Sequence, residues 1–186
     1  MKIINTPLPD LMIIEPRVFE DSRGYFFESF NQKEFLEKGI DISFAQDNES
    51  KSCRNVLRGL HYQLAPYAQT KLIRVIEGSI LDVAVDIRKG SPTFGKHYSI
   101  ELSSENRLQL FIPKGFAHGF SVLSESAIVV YKCDTLYDHE AERGILFNDP
   151  NLGIDWKINL NEAIISSKDK VNPMISNADI NFIYRK

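Results

Sequence analysis

Short segments rich in Val, Ile and Leu, separated by turn residues, constrain the fold of this chain more than any other feature of its sequence. Residues 71–76 and 79–87 are two such segments, and Gly78 between them is typical of a β-hairpin. Further strands are predicted at residues 97–102, 108–112, 118–123 and 127–133. Many short strands at this spacing indicate a β-sandwich or a β-barrel.

One helix and a single domain complete the predicted organisation. Asn31 can cap the helix, Glu34 stands at the capping-box position, and Gly39 can end it. Neither a repeat of fixed period nor a low-complexity segment divides the chain, so we predict one domain across all 186 residues. The part after residue 149 is rich in turn residues, and residues 178–184 are expected to add a helical or extended piece.

The charge balance and the cysteine count narrow the classes of partner and compartment. The net charge is −3, and without a basic excess we expect neither a nucleic acid nor a membrane as partner. No apolar run near the N-terminus has the length of a signal peptide, and no segment is long and apolar enough to span a bilayer. With only Cys53 and Cys133 as thiols, we expect a reducing cytoplasm and no disulfide framework.

The segment at residues 80–87 places two carboxylates on one face of a strand. Asp82 and Asp86 share that face, since side chains alternate along a strand. The other face is apolar and consists of Leu81, Val83, Val85 and Ile87. We expect the apolar face to belong to the outer packing layer between two sheets, and the acidic face to look into a polar barrel interior.

Two motifs carry most of the polar residues that could perform chemistry. The first runs from Arg58-Gly59-Leu60-His61-Tyr62-Gln63 through Lys71 to Gly78, and the second is Pro113-Lys114-Gly115-Phe116-Ala117-His118. Together they resemble the two motifs of the cupin superfamily. The fold that this resemblance implies is mainly β, a double-stranded β-helix (jelly-roll or cupin barrel) with a few short helices. Metal-binding cupins carry two histidines and a glutamate in the first motif and a histidine in the second. Here His61 and His118 fill the outer places, while Gln63 replaces a histidine and Lys71 replaces the glutamate.

The lysine in place of a carboxylate changes the chemistry that this pocket can perform. A protonated amine repels a divalent metal and has no free lone pair, so we expect no metal. We expect no other cofactor. Lys71 can instead stabilise an anionic oxygen, and the neighbouring His61 ionises near neutral pH. A base beside a fixed cation can remove a proton next to a carbonyl group and stabilise the resulting enolate.

Such a proton transfer also needs an acid on the opposite face and a partner that fixes the tautomer of the base. Tyr131 lies on a predicted strand that could reach the same interior, and its phenol is a candidate proton donor. Strand geometry alone offers Asp82 and Asp86 as candidate partners of His61.

Nine runs of residues, in order along the chain, match the pattern of one family. They are residues 21–28, 46–48, 58–63, 69–72, 85–88, 113–120, 131–132, 142–144 and 153–156. On these runs the chain resembles the dTDP-4-dehydrorhamnose 3,5-epimerases, and the likeness covers nearly the whole sequence. Several runs in the right order are far more specific than any one of them.

The resemblance implies a catalytic set of four residues. His61 would be the proton acceptor, with Asp169 as its orienting carboxylate. Lys71 would be the cation that stabilises the enolate, and Tyr131 would be the proton donor.

The resemblance also implies a set of contacts to a dTDP-linked sugar. His118 would contact the sugar, and Arg23 and Arg58 would bind the pyrophosphate, because a guanidinium donates two hydrogen bonds at once. Phe26 would stack on thymine. The remaining implied contacts are Glu28, Gln46 and Asn48 at the edge of the base, together with Tyr137, Glu142 and Lys168.

Members of this family are homodimers whose N-terminal strands cross to the partner barrel. The resemblance therefore implies that Arg23, Phe26 and Glu28 serve the active site of the neighbouring subunit.

The implied reaction inverts C3 and C5 of a nucleotide-linked 4-keto-6-deoxy-hexose through an enolate. It would convert dTDP-4-dehydro-6-deoxy-D-glucose into dTDP-4-dehydro-L-rhamnose. The alternatives within the fold are an epimerase acting on only one of the two carbons and a 3,4-ketoisomerase acting on a related dTDP-sugar. A cupin that only binds a sugar nucleotide would need no base. A metal-dependent dioxygenase is disfavoured by Gln63 and Lys71.

Overall fold

A computed structural model describes residues 1–185 and contains two large β-sheets and a separate two-stranded hairpin. The elements are β1 (Lys2–Asn5), β2 (Met12–Glu15), β3 (Phe19–Asp21), β4 (Gly24–Phe26), α1 (Gln32–Glu37), β5 (Gln46–Cys53), β6 (Val56–Gln63), β7 (Lys71–Glu77), β8 (Ser79–Asp86), β9 (His97–Ser103), β10 (Gln109–Ile112), β11 (Phe116–Val122), β12 (Ser126–Cys133), β13 (Glu142–Gly144), β14 (Ile164–Ile165) and two 3₁₀ turns (Asp169–Val171 and Ile175–Asn177). Within residues 1–185, no helix has the length and the apolar character needed to cross a bilayer.

The two sheets have an interleaved strand order. One sheet has the order β1-β2-β10-β7-β12-β5, and the other has the order β13-β6-β11-β8-β9, with β14 beside β6. The pairs are antiparallel except for β14 with β6. From β5 to β13, strands that follow each other along the chain alternate between the sheets, except that β8 and β9 are neighbours in one sheet. The predicted double-stranded β-barrel is confirmed.

The space between the sheets is filled mainly by apolar side chains from both. Ile73 and Val75 of β7 meet Ile80 and Ala84 of β8 in one buried cluster. Each large apolar side chain buried in this way stabilises the fold by about 1.5–3 kcal/mol. Buried polar side chains, among them Asp82 and His118, mark the part of this layer where the site described below begins.

The outer face of the second sheet is covered by the C-terminal part of the chain. Trp156 is 2% exposed there and donates its indole N–H to the carbonyl of Phe147 at 2.8 Å. The apolar face of β8 (Leu81, Val83, Val85 and the adjoining Ile87) packs into this outer layer. The predicted outer position of this face is confirmed, but its partner is the C-terminal part of the chain and not a second sheet. Both faces of β8 are buried, so alternation separates them but does not say which faces the barrel interior.

Residues 178–184 were predicted to be helical or extended, and the structure shows the extended form. Ile183 forms an isolated parallel bridge with Lys89, and Ile180 and Phe182 are buried in the outer layer.

The predicted helix is confirmed, with one difference at its cap. The Asn31 side chain accepts a hydrogen bond from the Glu34 N–H at 3.2 Å, and Gly39 follows the helix with a φ of +85°. The Glu34 carboxylate binds the amino group of Met1 instead of closing a reciprocal capping box. Phe35 is 1% exposed and anchors the helix on the outer face of the first sheet.

Gly78 does not form the hairpin that the sequence predicts. It joins β7 and β8, which belong to different sheets, so it turns the chain from one layer of the barrel to the other. Its φ is +77°, and a Cβ at this position would lie 2.0 Å from the Ser126 carbonyl oxygen. A local turn signal cannot distinguish a hairpin from such a crossover, because the strand pairing is decided by distant strands.

We expect Gly78→Ala to destabilise the fold far more than Gly90→Ala. Both glycines have positive φ, but a Cβ at Gly90 would meet nothing within 4 Å, whereas a Cβ at Gly78 meets backbone. Gly90→Ala should cost about 1 kcal/mol for the left-handed conformation, and Gly78→Ala at least about 3 kcal/mol. Denaturant unfolding of the two variants measures both values, and equal losses would contradict this account of the crossover.

Candidate active site

Two histidines face each other at the polar end of the barrel interior. His61 on β6 is paired directly with His118 on β11, and directly opposed residues share one face of a sheet. The two strands approach closely because Gly59 has no side chain: a Cβ there would lie 2.6 Å from the Gly119 Cα. The ladder is irregular just after His118, where its register shifts before Phe120.

His61 is held by a buried carboxylate from the C-terminal part of the chain. Its Nε2 lies 2.6 Å from Oδ1 of Asp169, whose other oxygen accepts the Gly59 N–H at 3.2 Å. Burial opposes ionisation of Asp169, but its hydrogen bonds to His61, Gly59 and Ser166 lower the pKa of the carboxyl below its ordinary value. An ionised carboxylate only accepts hydrogen bonds, so Nε2 carries the proton in neutral His61. The Nδ1 lone pair is then free to act as a base.

The second histidine has its own carboxylate. His118 Nε2 lies 2.6 Å from Oδ1 of Asp82, which is 0% exposed. Among residues 1–185, the other oxygen of Asp82 has no hydrogen-bond partner. Burial lowers the pKa of His118; Asp82 opposes this shift, while Lys71 and His61 reinforce it.

Asp82 and Asp86 are not partners of His61, contrary to the candidates from strand geometry. Asp82 binds His118, and Asp86 binds Arg88. The shared face of β8 was read correctly, but β11 lies between β8 and β6 in the sheet. The carboxylates of β8 therefore meet the side chains of β11 first.

Lys71 enters the same space from β7 of the facing sheet. Its Nζ lies 5.8 Å from the ring centroid of Tyr131, and no carboxylate of residues 1–185 lies within 4.0 Å of it. Burial lowers the pKa of Lys71, and this shift is partly offset by Cys133, Asp82 and Glu142. A cation without an ionic partner that faces a cavity can stabilise an oxygen that becomes negative during a reaction.

Tyr131 lies on β12, beside Lys71 and on the wall opposite His61. It pairs with Asn48 on one side and with Ile73 on the other. Burial raises the pKa of the Tyr131 phenol, so the hydroxyl stays protonated near neutral pH. It can therefore donate a proton or a hydrogen bond into the space between the sheets.

A cleft opens beside His61, and a cluster of polar side chains borders it. Glu142 Oε2 accepts a hydrogen bond from the Tyr137 hydroxyl at 2.7 Å and pairs with Lys168 Nζ at 2.5 Å. Burial opposes ionisation of Glu142, but the bonds from Lys168 and Tyr137 lower its pKa. The cleft has a volume of about 300 Å³ and is lined by Val56, Leu57, Arg58, His61, Glu142, Ile164, Ser166, Lys168 and Asp169.

The predicted contacts of β5 lie at the same end of the barrel. Gln46 donates to Asn48 at 2.9 Å and accepts from the Tyr137 N–H at 2.9 Å. Arg58 Nε donates to the hydroxyl of Ser52 at 3.1 Å. These polar groups thus form one connected wall with Tyr131.

The structure does not bring Arg23, Phe26 and Glu28 into this cleft. They lie on or just after the β3–β4 hairpin, whose strands pair only with each other in the described chain. Arg23 pairs with its neighbour Asp21 at 2.6 Å, Phe26 is 66% exposed, and Glu28 accepts hydrogen bonds from Asn31.

Gln63, at the position of the second cupin histidine, holds two loops together. Its amide donates to the carbonyls of Tyr67 at 2.6 Å and Leu136 at 3.3 Å, and it accepts from the Asp138 N–H at 3.0 Å. Within residues 1–185, no group of three or more His, Cys, Asp or Glu side chains has the geometry to hold a metal ion.

Two contributors to the site were not predicted from the sequence. Asp82 was considered for the wrong histidine, and Ser166 was not considered at all. Ser166 Oγ accepts the backbone N–H of Asp169 at 3.0 Å and fixes the turn that carries this carboxylate. The Ser-x-x-Asp spacing is the one by which a hydroxyl caps a helical turn, and it is a signal that could have identified Ser166.

Comparison with known proteins finds the same family over nearly the whole chain. The model of the dTDP-4-dehydrorhamnose 3,5-epimerase family matches residues 5–177. The chain is similar to the dTDP-4-dehydrorhamnose 3,5-epimerase of Shigella flexneri, with 53% identity over 182 residues, 97% of this chain and 94% of that protein. A crystal structure of dTDP-4-dehydrorhamnose 3,5-epimerase from Elizabethkingia anophelis NUHP1 has a TM-score of 0.92 and 54% identity, covering 95% of this chain and 97% of that one.

A second crystal structure contains a bound sugar nucleotide. It is dTDP-6-deoxy-D-glucose-3,5-epimerase from Legionella pneumophila Philadelphia 1 in complex with dTDP-4-keto-L-rhamnose. Its TM-score is 0.95 and its identity 47%, covering 100% of this chain and 99% of that one.

We expect Lys71→Met to stabilise the fold by about 1 kcal/mol at pH 7, because it removes a buried charge for which residues 1–185 supply no ionic partner. The folded pKa of Lys71 lies below its ordinary value of 10.5, so the protonated amine disfavours the folded state at neutral pH. This penalty, and with it the gain of the variant, should shrink as the pH rises towards 10.5. Denaturant unfolding at a series of pH values measures the gain.

The matched control is Lys132→Met, which removes a lysine paired with Asp47 on the surface at 2.8 Å. Its effect should stay within about 0.5 kcal/mol and should not follow the same pH course. A Lys71→Met variant less stable than the parent protein at pH 7 would show that the ammonium is compensated in the folded state.

Proposed function

The chain belongs to the dTDP-4-dehydrorhamnose 3,5-epimerase family, and we propose on this premise how its own residues divide the reaction. The substrate is dTDP-4-dehydro-6-deoxy-D-glucose, and inversion at C3 and C5 gives dTDP-4-dehydro-L-rhamnose. The observation that carries the proposal is a histidine with a fixed tautomer, His61, at the same end of the barrel as Lys71, an ammonium with no ionic partner among residues 1–185. Both lie close enough to His118 to lower the pKa of that histidine. That pair is suited to removing protons next to a ketone.

His61 removes the proton from C5 or C3 through Nδ1. Asp169 fixes the imidazole through Nε2–H and stabilises the positive charge that the ring acquires. Both carbons are adjacent to the C4 ketone, so both enolates place their negative charge on the same oxygen. A single cation, Lys71, can therefore serve both inversions.

His118 contacts the sugar as a neutral imidazole. Its Nε2 carries a proton towards Asp82, and burial lowers its pKa, so Nδ1 remains an acceptor. An acceptor suits a sugar hydroxyl and not an enolate oxygen. The charge at O4 is therefore stabilised chiefly by Lys71.

Tyr131 returns the proton on the opposite side of the sugar ring. It lies on the sheet that faces the sheet carrying His61, so the base and the acid stand on opposite walls of the barrel. Removal from one side and return on the other inverts the carbon. Before the second carbon reacts, His61 releases its proton to solvent and the Tyr131 phenolate takes one up, so both groups return to their starting states.

The nucleotide extends from this centre along the polar cleft. Arg58 and Lys168 supply positive charge for the pyrophosphate, and Arg23 supplies more from the hairpin. The remaining proposed contacts are Phe26, Glu28, Gln46 and Asn48 for the base, together with Tyr137 and Glu142.

We expect His61→Ala to abolish the incorporation of solvent deuterium into dTDP-4-dehydro-6-deoxy-D-glucose. Exchange at C3 and C5, followed by proton NMR in heavy water, should fall by about 100-fold or more, because the general base is lost. The matched control is His139→Ala, whose imidazole is 81% exposed on the surface and should leave both exchanges unchanged.

In the same assay, Tyr131→Phe distinguishes the role of the proton donor from that of the base. It should still exchange a proton but should form little inverted product, because the donor on the opposite side is missing. Full exchange in His61→Ala would discard His61 as the base. Exchange at a single carbon in the parent protein, or a 3-keto product, would replace the double inversion by one of the alternative reactions.

We also propose that the enzyme acts as a homodimer in the cytoplasm, with the β3–β4 hairpin reaching the cleft of the partner. The hairpin exposes Phe19, Tyr25 and Phe26 by 49%, 55% and 66%, which is a large apolar surface for so small an element. A partner barrel would cover these rings and place Arg23 near a second cleft. Two free cysteines agree with a reducing compartment.

Mixed dimers test the hairpin exchange. A dimer of one Arg23→Ala subunit and one His61→Ala subunit has one site with both defects and one intact site. An equal mixture should therefore regain about a quarter of the parent activity at low substrate concentration, although each variant alone is impaired. His61→Ala mixed with Tyr131→Phe is the control: these residues share a barrel, so no intact site can form. An activity of the mixture no higher than the average of the two variants measured separately would show that the hairpin serves its own subunit.

A further inference from the structure

A buried ion pair outside the cleft is not used by the mechanism above. Asp86, at the end of β8, is 0% exposed, and Arg88 is 7% exposed. The guanidinium donates from Nε to Oδ1 and from Nη2 to Oδ2, each at 2.9 Å, and the Arg88 backbone N–H adds a third bond at 3.0 Å. Ser91 and Thr93 donate their hydroxyls to the same carboxylate at 2.6 and 2.7 Å.

Arg88 is fixed on its remaining sides by residues from distant parts of the chain. Its guanidinium carbon lies 4.6 Å from the ring centroid of Phe116 and 4.9 Å from that of Tyr184. Its other donors reach Asp10 at 2.7 Å and the Pro9 carbonyl at 3.0 Å. A Cβ at Gly115 would lie 2.4 Å from the Arg88 Cγ, so the turn before β11 rests directly on this side chain.

The contact continues from the ion pair to the active site along β11. Phe116 is paired directly with Asp86, and His118 lies two residues further on the same face. Phe116, His118 and Lys71 line one small cavity. A displacement of the Phe116 ring would therefore be transmitted both to the histidine that contacts the sugar and to the cation at the enolate.

Packing alone does not account for an ion pair at this place. Apolar residues of similar volume commonly replace buried ion pairs without loss of stability, whereas a rigid guanidinium fork fixes the orientation of its neighbours. We propose that Asp86 and Arg88 are positioning residues that hold Phe116, and through it His118 and Lys71, in the geometry required for proton transfer. This inference rests on the proposed function, since it concerns the same site.

The test is the kinetic behaviour of Arg88→Met in the full-length protein. The kcat should fall by about 10–100-fold, because small misplacements at a reacting centre have effects of this size. The KM and the affinity for dTDP alone should stay within about twofold, because the nucleotide contacts lie elsewhere. The matched control is Arg54→Met, which removes an exposed arginine paired with Glu125 at 2.7 Å and should leave all three values unchanged.

A double-mutant cycle decides whether Arg88 acts through Phe116. In a Phe116→Leu background, Arg88→Met should lower kcat by less than about twofold more, because the ring that it positions is gone. Arg88→Lys keeps the charge but loses the fork, and it should show a smaller loss of kcat. It also provides the measurement if Arg88→Met does not fold.

Three results would overturn the inference: a kcat of Arg88→Met or Arg88→Lys equal to that of the parent, fully additive losses in the cycle, or equal losses of kcat and dTDP affinity. The parent protein and Arg54→Met are assayed first for exchange at C3 and C5. Absence of that exchange would refute the proposed function itself, whereas parent activity with an unaffected Arg88→Met refutes only the positioning role.

Discussion

The arrangement of the site depends on a positive charge, Lys71, which is held between two β-sheets and has no ionic partner in the described part of the chain. Carboxylates do lie near Lys71, but each is engaged elsewhere: Asp82 binds His118, and Glu142 binds Tyr137 and Lys168. The ammonium therefore remains available to the substrate. Burial disfavours the charge of this ammonium and lowers its pKa, which costs stability. The rigid barrel tolerates this cost because the apolar layer beyond the site is large.

In the mechanism that we propose, two histidine–carboxylate pairs of equal length perform different tasks because their surroundings differ. Both Nε2–oxygen distances are 2.6 Å. The side chain of His61 is 32% exposed and its carboxylate has further hydrogen-bond donors, so this pair can accept a proton and accommodate the charge. His118 is buried beside Lys71, which disfavours its protonation. Burial and neighbouring charge, rather than the hydrogen bond itself, thus assign the base.

Much of the barrel could be predicted from the sequence, since strand alternation and turn residues are local signals. The partners of each strand could not. Gly78 has the residue type and conformation of a hairpin glycine, yet it links two sheets, because β7 pairs with β10 and β12 instead. For the same reason strand geometry offers the two carboxylates of β8 as candidate partners of His61, although β11 intervenes. The place of Asp169 came only from resemblance, because no periodicity connects a C-terminal turn with β6.

The active site is assembled from residues that are far apart in sequence, so its geometry and the stability of the fold rest on the same contacts. Asp169 joins the C-terminal turn to β6, Glu142 on β13 binds Lys168, and Asp86 holds Arg88, whose guanidinium reaches Asp10 near the N-terminus. The pKa of each of these carboxyls is lowered in the folded protein. Each therefore stabilises the fold fully at pH values above its ordinary pKa, which is 3.8 for the aspartates and 4.5 for Glu142. That stability is lost as the pH falls through the lowered values. Acid therefore loosens the connections that build the cleft as it weakens the fold, because the carboxylates that position the catalytic groups also connect distant segments of the chain.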